Sequence, residues 1–299
     1  MKRVICTGLA VLDHVFFLPE IPKNPIKSFA TSYQILGGGN AATAAVAISR
    51  AGGQAIFWGS LGNDLNGDII LSELVEFGVD VEDVKRLNGL NSSVSSVLID
   101  NTGERLITNY TDSKLIKKAD WLPLDKLVKS DAVLADLRWQ EGAIKTLRRA
   151  RELGIPAVLD ADLAPADLDE EVIKNSTHVL FSELALNKFT QGKSIVEALH
   201  LVSEINGGWA GVTEGSAGTR WLDNGKLEHV PAFKVETVDT LGAGDVFHGV
   251  FALSLAEGYL ESNALIRASA AAALRCSRSG GRKTFPLRKE IETLISQRS

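Results

Sequence analysis

Residues 238–250 of the chain are VDTLGAGDVFHGV. At Gly242, Ala243 and Gly244 no bulky side chain blocks the backbone, so successive N–H groups can point to one side of a turn. The apolar residues that follow have a helical pattern, which would place these N–H groups at a helix N-terminus, where an anion is favoured. The stretch therefore predicts an anion cradle beside a general base, Asp245, as phosphoryl transfer requires. The alternative is a glycine-rich loop whose aspartate caps a helix.

Upstream of this stretch, short β-branched runs alternate with helical patterns. Buried strands are predicted at 4–7, 55–59, 132–135, 157–160, 178–181 and 209–213. Amphipathic helices are predicted at 68–77, 142–153 and 195–205, and residues 244–275 are alanine-rich and helical. This alternation predicts an α/β fold with a doubly wound, mostly parallel sheet covered on both faces. With 299 residues, 45% of them hydrophobic, we expect a single α/β domain over residues 1–299.

Two segments break the alternation. Residues 13–36 contain three prolines between extended-looking runs, and residues 91–110 contain two strand patterns around a turn at 101–103. Neither segment contains a crossover helix. Together they predict a small antiparallel β-sheet that projects from the main domain and serves as a lid over a site at the strand ends.

A second glycine-rich stretch, GGGNAATAAVAISRAG, covers residues 37–52. Gly38 and Gly39 permit close backbone approach, and Asn40 can both donate and accept hydrogen bonds. This combination favours a small polyol ligand. The stretch also fits the relaxed dinucleotide fingerprint, but no acidic residue about 20 positions further on closes a βαβ unit.

A third stretch, VTEGSAG at residues 212–218, follows a predicted buried strand. The glycines Gly215 and Gly218, next to Thr213, suit a turn that lies along a nucleotide. The alternative for this short stretch is an ordinary β-turn.

Several polar side chains are candidates for holding a sugar. Asp13 follows the first predicted strand, at the mouth of a parallel sheet where ligands usually bind, and its carboxylate could clamp two hydroxyls. The alternative role for Asp13 is a turn or cap. Four further residues lie on the predicted lid or at a strand end, and each taken separately is typical of a solvated surface: Lys27, Arg105, Asn109 and Arg138.

The composition excludes several classes of protein. The net charge is −5, which does not indicate a nucleic-acid surface. The five histidines have no zinc-site spacing, and the two cysteines, far apart in the sequence, indicate free thiols in a reducing compartment. The apolar N-terminus lacks a cleavage site, and residues 41–48 are too short to cross a bilayer. We therefore expect a cytoplasmic protein that binds neither nucleic acid nor a membrane.

Taken together and in this order, the stretches GGGNAATAA at 37–45 and DTLGAGDVFHG at 239–249 resemble the signatures of the ribokinase-like (PfkB) carbohydrate kinase family. The resemblance runs from Val4 to about Phe285. It implies an ATP-dependent enzyme that uses Mg²⁺ and phosphorylates a sugar hydroxyl, often as a homodimer paired through the lid. A monovalent cation is implied as a further cofactor, although Leu241 replaces a common hydroxyl residue of its loop.

The resemblance also implies residue roles. Asp245 would be the catalytic base and Gly242, Ala243 and Gly244 the anion hole. The sugar would be held by Asp13, Gly38, Gly39 and Asn40. ATP would lie along Thr213, Gly215, Gly218, Gly242 and Gly244, with its adenine near Ala271 and the loop at Gly281.

The chain departs from the family in the stretch that usually organises Mg²⁺. Here the sequence is FSELA, so that Ser182 replaces an asparagine and Ala185 a glutamate. Glu183 remains as the candidate metal residue, and Asp160 and Asp162 could supply further negative charge.

Within the family, the chain is similar to kinases of 6-deoxy-6-sulfofructose. The stretches that carry this similarity are GERLITNY at 103–110, VLADLRW at 133–139, VLDAD at 158–162 and CSRSGGR at 276–282. The implied reaction is phosphorylation of the C1 hydroxyl of sulfofructose in sulfoquinovose degradation, with the sulfonate held by Lys27, Asn109 and Arg138. Alternatives are a fructokinase, a ketohexokinase or a sugar-phosphate kinase, then a non-catalytic sugar sensor, and lastly a nicotinamide oxidoreductase.

Overall fold

The structure, a computed structural model, describes residues 1–164 and 166–297; Pro165 and positions 298 and 299 of the expected domain lie outside it. Its strands are β1 (Arg3–Thr7), β2 (Val11–Phe17), β3 (Ser32–Gly38), β4 (Gln54–Trp58), β5 (Ser60–Gly62), β6 (Lys85–Leu87), β7 (Ser93–Ile99), β8 (Arg105–Tyr110), β9 (Ala132–Asp136), β10 (Ala157–Ala161), β11 (His178–Ser182), β12 (Trp209–Thr213), β13 (Thr219–Asp223) and β14 (Lys226–Val230). Its helices are α1 (Asn40–Arg50), α2 (Leu65–Glu76), α3 (Gln140–Glu152), α4 (Glu170–Lys174), α5 (Glu183–Phe189), α6 (Ile195–Asn206), α7 (Ala243–Ala256), α8 (Glu261–Cys276) and α9 (Arg288–Ser296).

Over the described residues, the large sheet has eight strands in the order β14-β13-β12-β11-β10-β9-β1-β4. The strands from β12 to β4 are parallel, and each corresponds to a strand predicted from the sequence. The two edge strands β13 and β14 are antiparallel and were not predicted. The predicted doubly wound, mostly parallel sheet is therefore confirmed.

Helices cover both faces of this sheet, because successive side chains of a buried strand point to opposite sides. In β1, Val4 and Cys6 pack into a core with α1, α7 and α8. Ile5, between them, packs into a second core with α3 and α6. This arrangement explains why the parallel strands are apolar at nearly every position rather than at alternate ones.

Helices α1 and α7 approach each other unusually closely. A Cβ atom placed on Gly249 of α7 would lie 2.6 Å from the carbonyl oxygen of Ala44 in α1. Only glycine fits at this contact. The contact matters for the site because α1 begins at Asn40 and α7 begins two residues before Asp245.

The small sheet consists of β3-β2-β7-β8, which come from the two segments that interrupt the strand–helix alternation. The outer pairs β2–β3 and β7–β8 are antiparallel, as predicted, but the central pair β2–β7 is parallel. The reason is that the chain passes through α1, β4 and α2 between β2 and β7, and such a long crossover can return it in the same direction.

Among residues 1–164 and 166–297, no helix combines the length and the hydropathy that crossing a membrane would require.

Candidate active site

The glycine-rich turn before α7 has the geometry predicted from the sequence. Gly242 has φ +73°, a left-handed conformation that favours glycine. Helix α7 starts at Ala243, and Asp245 lies in its first turn. Since the first turn of a helix leaves N–H groups without partners inside the helix, this end of α7 presents donors and a positive dipole to any anion in front of it.

Two cavities meet at this helix end. A cavity of about 630 Å³ is lined by Ala243 and Gly244, and a smaller cavity of about 110 Å³ is lined by Gly242 and Asp245. Of the four consecutive residues 242–245, two therefore line one cavity and two line the other. A group bound in the larger cavity could be passed to a molecule in the smaller one at this shared wall.

The larger cavity contains most of the residues predicted to lie along a nucleotide. Thr213, Gly215 and Gly218 line it together with the α7 residues. Ala271 does not line it: this alanine is fully buried in the core, and its neighbours Ala272 and Ala273 face the cavity instead.

The smaller cavity contains the residues predicted to hold a sugar. Asp13, Gly38, Gly39 and Asn40 line it, as does Gly281, which the sequence analysis assigned to the nucleotide. A Cβ atom on Gly38 would lie 2.2 Å from Oδ2 of Asp13, so glycine is needed there to admit the carboxylate. Burial raises the pKa of Asp13, and a hydrogen bond from Ser95 and the charge of Arg282 oppose that rise.

Arg282 is a residue of the smaller cavity that the sequence analysis did not single out. Its side chain is buried, and it donates hydrogen bonds to Glu73 Oε2 at 2.7 Å, to the carbonyl oxygen of Gly38 at 2.9 Å and to Thr43 Oγ1 at 3.0 Å. Its charge lowers the pKa of both Asp13 and Asp245. The sequence signal that could have identified Arg282 was its position directly after the pair Gly280–Gly281. That stretch was noted only for its family resemblance.

The environment of Asp245 disfavours its ionised form. Burial raises its pKa well above the usual range, and the carboxylate of Asp160 raises it further. Asp160 is 2% exposed, and among the described residues its carboxylate oxygens have no partner at ordinary hydrogen-bond distance, although the side chain of Asn40 interacts with the carboxylate and lowers its pKa. Its own pKa is raised by burial and then by Asp162 and Asp136. A carboxylate with a raised pKa is a stronger proton acceptor once it is ionised.

Asp136, at the end of β9, fixes the start of α1. It is buried, and it accepts hydrogen bonds from the N–H groups of Leu9 at 3.0 Å, Ala41 at 3.0 Å and Arg138 at 2.9 Å. Because Asn40 precedes Ala41, this carboxylate also sets the position of Asn40. The sequence analysis missed this role, since Asp136 stood only within a stretch noted for its resemblance.

The three residues predicted to bind a sulfonate lie in different places. Asn109 on β8 is paired with Ser95, which is paired with Asp13, so the three share one face of the small sheet. Arg138 follows β9 and lies near enough to lower the pKa of Asp160. Lys27 lies in the exposed segment between β2 and β3, with Nζ 5.5 Å from the ring centre of Phe29. None of these three residues lines either cavity.

The predicted metal residue, Glu183, is exposed at the start of α5. The preceding residue, Ser182, caps this helix and donates to Asp162 Oδ1 at 2.8 Å. In the described ranges 1–164 and 166–297, no group of three or more His, Cys, Asp or Glu side chains is arranged to hold a metal ion.

Comparison with known proteins agrees with this geometry. Residues 1–288 match the pattern of the pfkB family carbohydrate kinases. The chain is 30% identical to a ribokinase of Bacillus subtilis (99% of this chain and 100% of that protein) and 27% identical to an ATP-dependent ribose-1-phosphate kinase of Halopiger xanaduensis (100% and 99%). A crystal structure from Agrobacterium tumefaciens, provisionally named as a ribokinase, is 39% identical, with a TM-score of 0.94 over 99% of this chain and 98% of that one.

The family match covers most of the chain, and the two cavities meet at a helix end that carries a carboxylate. The chain therefore belongs to the pfkB family of carbohydrate kinases and is an ATP-dependent sugar kinase.

Proposed function

We propose that this sugar kinase transfers the γ-phosphate of ATP to the C1 hydroxyl of 6-deoxy-6-sulfofructose, as a step in the degradation of sulfoquinovose. The observation that supports the transfer is the shared wall from Gly242 to Asp245, which separates the large cavity from the small one. In this proposal ATP occupies the large cavity and the sugar the small one. Mg²⁺ enters with ATP as part of that substrate, and Glu183, which lines neither cavity, stays the acidic candidate for binding it.

The proposed reaction needs little from the protein beyond positioning and charge stabilisation. The C1 hydroxyl gives its proton to Asp245, and its oxygen forms a bond to the γ-phosphorus. The bond between that phosphorus and the bridging oxygen of ADP breaks. The N–H groups from Gly242 to Gly244, at the positive end of α7, stabilise the charge on the transferred group.

The sulfonate specificity rests on Asn109 and Arg138. Asn109 shares a face of the small sheet with Asp13, and Arg138 lies at the carboxyl end of β9, the edge at which ligands bind in parallel sheets. A fixed tetrahedral anion is best held by cationic and amide donors of this kind. Lys27 would join them only through movement of the exposed segment that carries it.

A second candidate is a kinase of a neutral or phosphorylated sugar. The relatives favour this candidate, because one is named as a ribokinase and another as an ATP-dependent ribose-1-phosphate kinase. A phosphate group would use donors similar to those for a sulfonate, whereas free ribose or fructose would need no cation at Arg138.

Measuring ADP release with Mg·ATP and a panel of sugars distinguishes these candidates. The panel is sulfofructose, fructose, fructose 6-phosphate, ribose and ribose 1-phosphate. We expect the highest kcat/KM with sulfofructose, and we expect Arg138→Ala to lower it selectively for the anionic sugars. Arg148→Ala, an exposed arginine of α3, is the control. A preference for ribose, or an Arg138 variant with unchanged selectivity, would refute the sulfonate proposal while leaving the kinase assignment intact.

We further propose that the kinase forms a homodimer through the small sheet. Its outer face exposes four large side chains, Tyr33 (48%), Ile35 (45%), Leu106 (49%) and Tyr110 (51%). Tyr33 and Ile35 lie on β3 and Leu106 and Tyr110 on β8, the two edge strands of this sheet. The strand register places all four on one face, which a second copy would cover. Light scattering should show a dimer that Leu106→Glu dissociates, while Leu227→Glu, on β14, does not. A monomeric wild-type protein would contradict this proposal.

The proposal places the enzyme in the cytoplasm, where ATP is available. Cys6 and Cys276 are both free thiols, as expected in a reducing compartment.

A further inference from the structure

Asp239, the first residue of the motif before α7, is held by two arginines from distant parts of the chain. Its Oδ1 accepts a hydrogen bond from Arg105 on β8 at 2.7 Å and one from the N–H of Leu241 at 2.9 Å. Its Oδ2 accepts one from Arg275 on α8 at 2.5 Å. Both carboxylate oxygens are therefore already bound by cationic groups.

Arg275 contacts two further oxygen atoms besides Oδ2 of Asp239. Its side chain is fully buried, and its Nη1 donates to the carbonyl oxygen of Arg278 at 2.5 Å and to that of Asp239 at 3.4 Å. The ring of Phe285 lies 5.9 Å from its guanidinium carbon. One carboxylate oxygen and two main-chain carbonyl oxygens thus surround a buried positive charge. Oxygen atoms of this kind are also the ligands that a potassium ion takes in a protein.

We propose that the guanidinium of Arg275 is a built-in cation for the anion-hole loop, and that this kinase therefore does not depend on a monovalent metal ion. The sequence resemblance implied such an ion as a cofactor. The residues around Asp239 do not fit one, because the carboxylate is neutralised by Arg275 and Arg105 and because Leu241 offers no hydroxyl oxygen.

The position of Arg275 explains how it acts on the site. The loop that it holds runs from Asp239 to Gly242, directly before the first residue of α7. Within that loop the N–H of Ala243 donates to the carbonyl oxygen of Thr240 at 3.2 Å, and Thr240 itself lines the nucleotide cavity. A shift of Asp239 would therefore move the N–H groups that face the transferred phosphate. Arg275 also forms part of the wall of the small cavity, but its guanidinium nitrogens Nη1 and Nη2 are bound to Asp239 and to the carbonyl oxygen of Arg278. It therefore acts through the loop, as a positioning residue.

The test compares salts of potassium and tetramethylammonium at equal ionic strength, with the sugar that gives the highest turnover. The kcat/KM of the wild-type kinase should be the same in both salts within about 2-fold. Arg275→Ala should lose about 10²-fold in kcat in tetramethylammonium, the size expected for a displaced catalytic group. Potassium should restore part of that loss by entering the oxygen-lined space that the guanidinium leaves.

Two readouts separate this role from a purely structural one, and neither needs a sugar. Potassium should raise the Tm of Arg275→Ala but not that of the wild type, and it should strengthen ATP binding only in the variant. Because neither measurement uses a sugar, they test the role of Arg275 whether or not sulfofructose is the substrate.

Arg278→Ala is the matched control, because this arginine of the same segment pairs with Glu290 and does not contact Asp239 with its side chain. It should respond to potassium no more than the wild type does. A wild-type kinase that needs potassium would overturn the inference, and so would a folded Arg275→Ala protein that is indifferent to potassium in all three measurements. If Arg275→Ala does not fold, the Arg275→Lys variant is compared with the wild-type kinase instead. Both proteins should then be active without potassium.

Discussion

His248 Nε2 lies 3.6 Å from Asp160 Oδ1, which joins the helix of the proposed base to the end of β10. His248 stands three residues after Asp245, and its Nδ1 lies 2.8 Å from the carbonyl oxygen of Gly244. Burial lowers the pKa of His248 and raises that of Asp160, so both side chains are favoured in their uncharged forms. The proposed base therefore has a second carboxyl group as its buried neighbour, and the two titrate as a pair.

Replacing the proposed base should separate catalysis from binding. We expect Asp245→Asn to lower kcat by about 10²–10⁴, the usual contribution of a general base, because the amide cannot take the proton of the hydroxyl. ATP affinity, measured by calorimetry, should change little. Asp223→Asn, an exposed residue at the end of β13, serves as the control. Turnover near the wild-type value would remove Asp245 from the proposed role.

The pH dependence of turnover should report the carboxyl pair. A base works only when ionised, so the raised pKa of Asp245 predicts that kcat falls as the pH drops through that raised value. Because Asp160 contributes to the rise, Asp160→Asn should move the acidic limb of the kcat profile to lower pH. A profile that does not move would show that Asp160 has no electrostatic effect on the base.

The same substitution should affect stability in a pH-dependent way. Asp160 has its pKa raised in the folded protein, so the folded state binds the proton more tightly than the unfolded chain does. Its contribution is therefore most favourable below the unfolded pKa and is lost as the pH rises through the folded value. In urea titrations, the free energy of unfolding of Asp160→Asn, relative to wild type, should increase as the pH rises from the ordinary pKa of an aspartate through the raised pKa of Asp160. A difference that is constant over this range would argue against a buried, titrating Asp160.

Removal of Arg282 should shift the pH profile the other way. Its charge lowers the pKa of Asp245, so Arg282→Met should move the acidic limb of kcat to higher pH. The variant should also lose about 2 kcal/mol of unfolding free energy, since the hydrogen bonds to Glu73 and Gly38 involve a charged donor. Lys283→Met, the exposed neighbour, should change neither quantity. A shift to lower pH would contradict the arrangement described for the small cavity.

Asp136 offers a test of how Asn40 is held. In Asp136→Asn, the amide N–H₂ group would face backbone N–H donors, which costs about 1–3 kcal/mol for each unsatisfied buried group. We expect a lower free energy of unfolding and a KM for the sugar that rises more than the KM for ATP. Equal changes in the two KM values would indicate a general loss of structure rather than displacement of Asn40.

The sequence was informative where a signal is local. The parallel strands are continuous apolar runs, and the turn before α7 needs glycine at Gly242 and small residues beside it. Both features could be recognised from consecutive residues, without knowledge of a distant contact. Arg282 and Gly38 are separated by 244 residues, and Asp136 and Ala41 by 95. A lone charged residue gives no indication of a partner so far away. Ala271 lies in the core and its neighbours Ala272 and Ala273 line the large cavity, because α8 is alanine-rich and its apolar character does not define which face is buried.

The contact between Gly249 and Ala44 has a consequence for how this enzyme could change its substrate. Asn40, proposed to hold the sugar, and Asp245, the proposed base, lie on two helices whose backbones touch, so the distance between them is set by the packing of α1 against α7. Adaptation to an acceptor of a different length should then come from the opposite wall of the small cavity, to which β2 contributes Asp13 and β3 contributes Leu36. New specificities in this chain should accordingly arise through substitutions in the small sheet, while the two helices remain as they are.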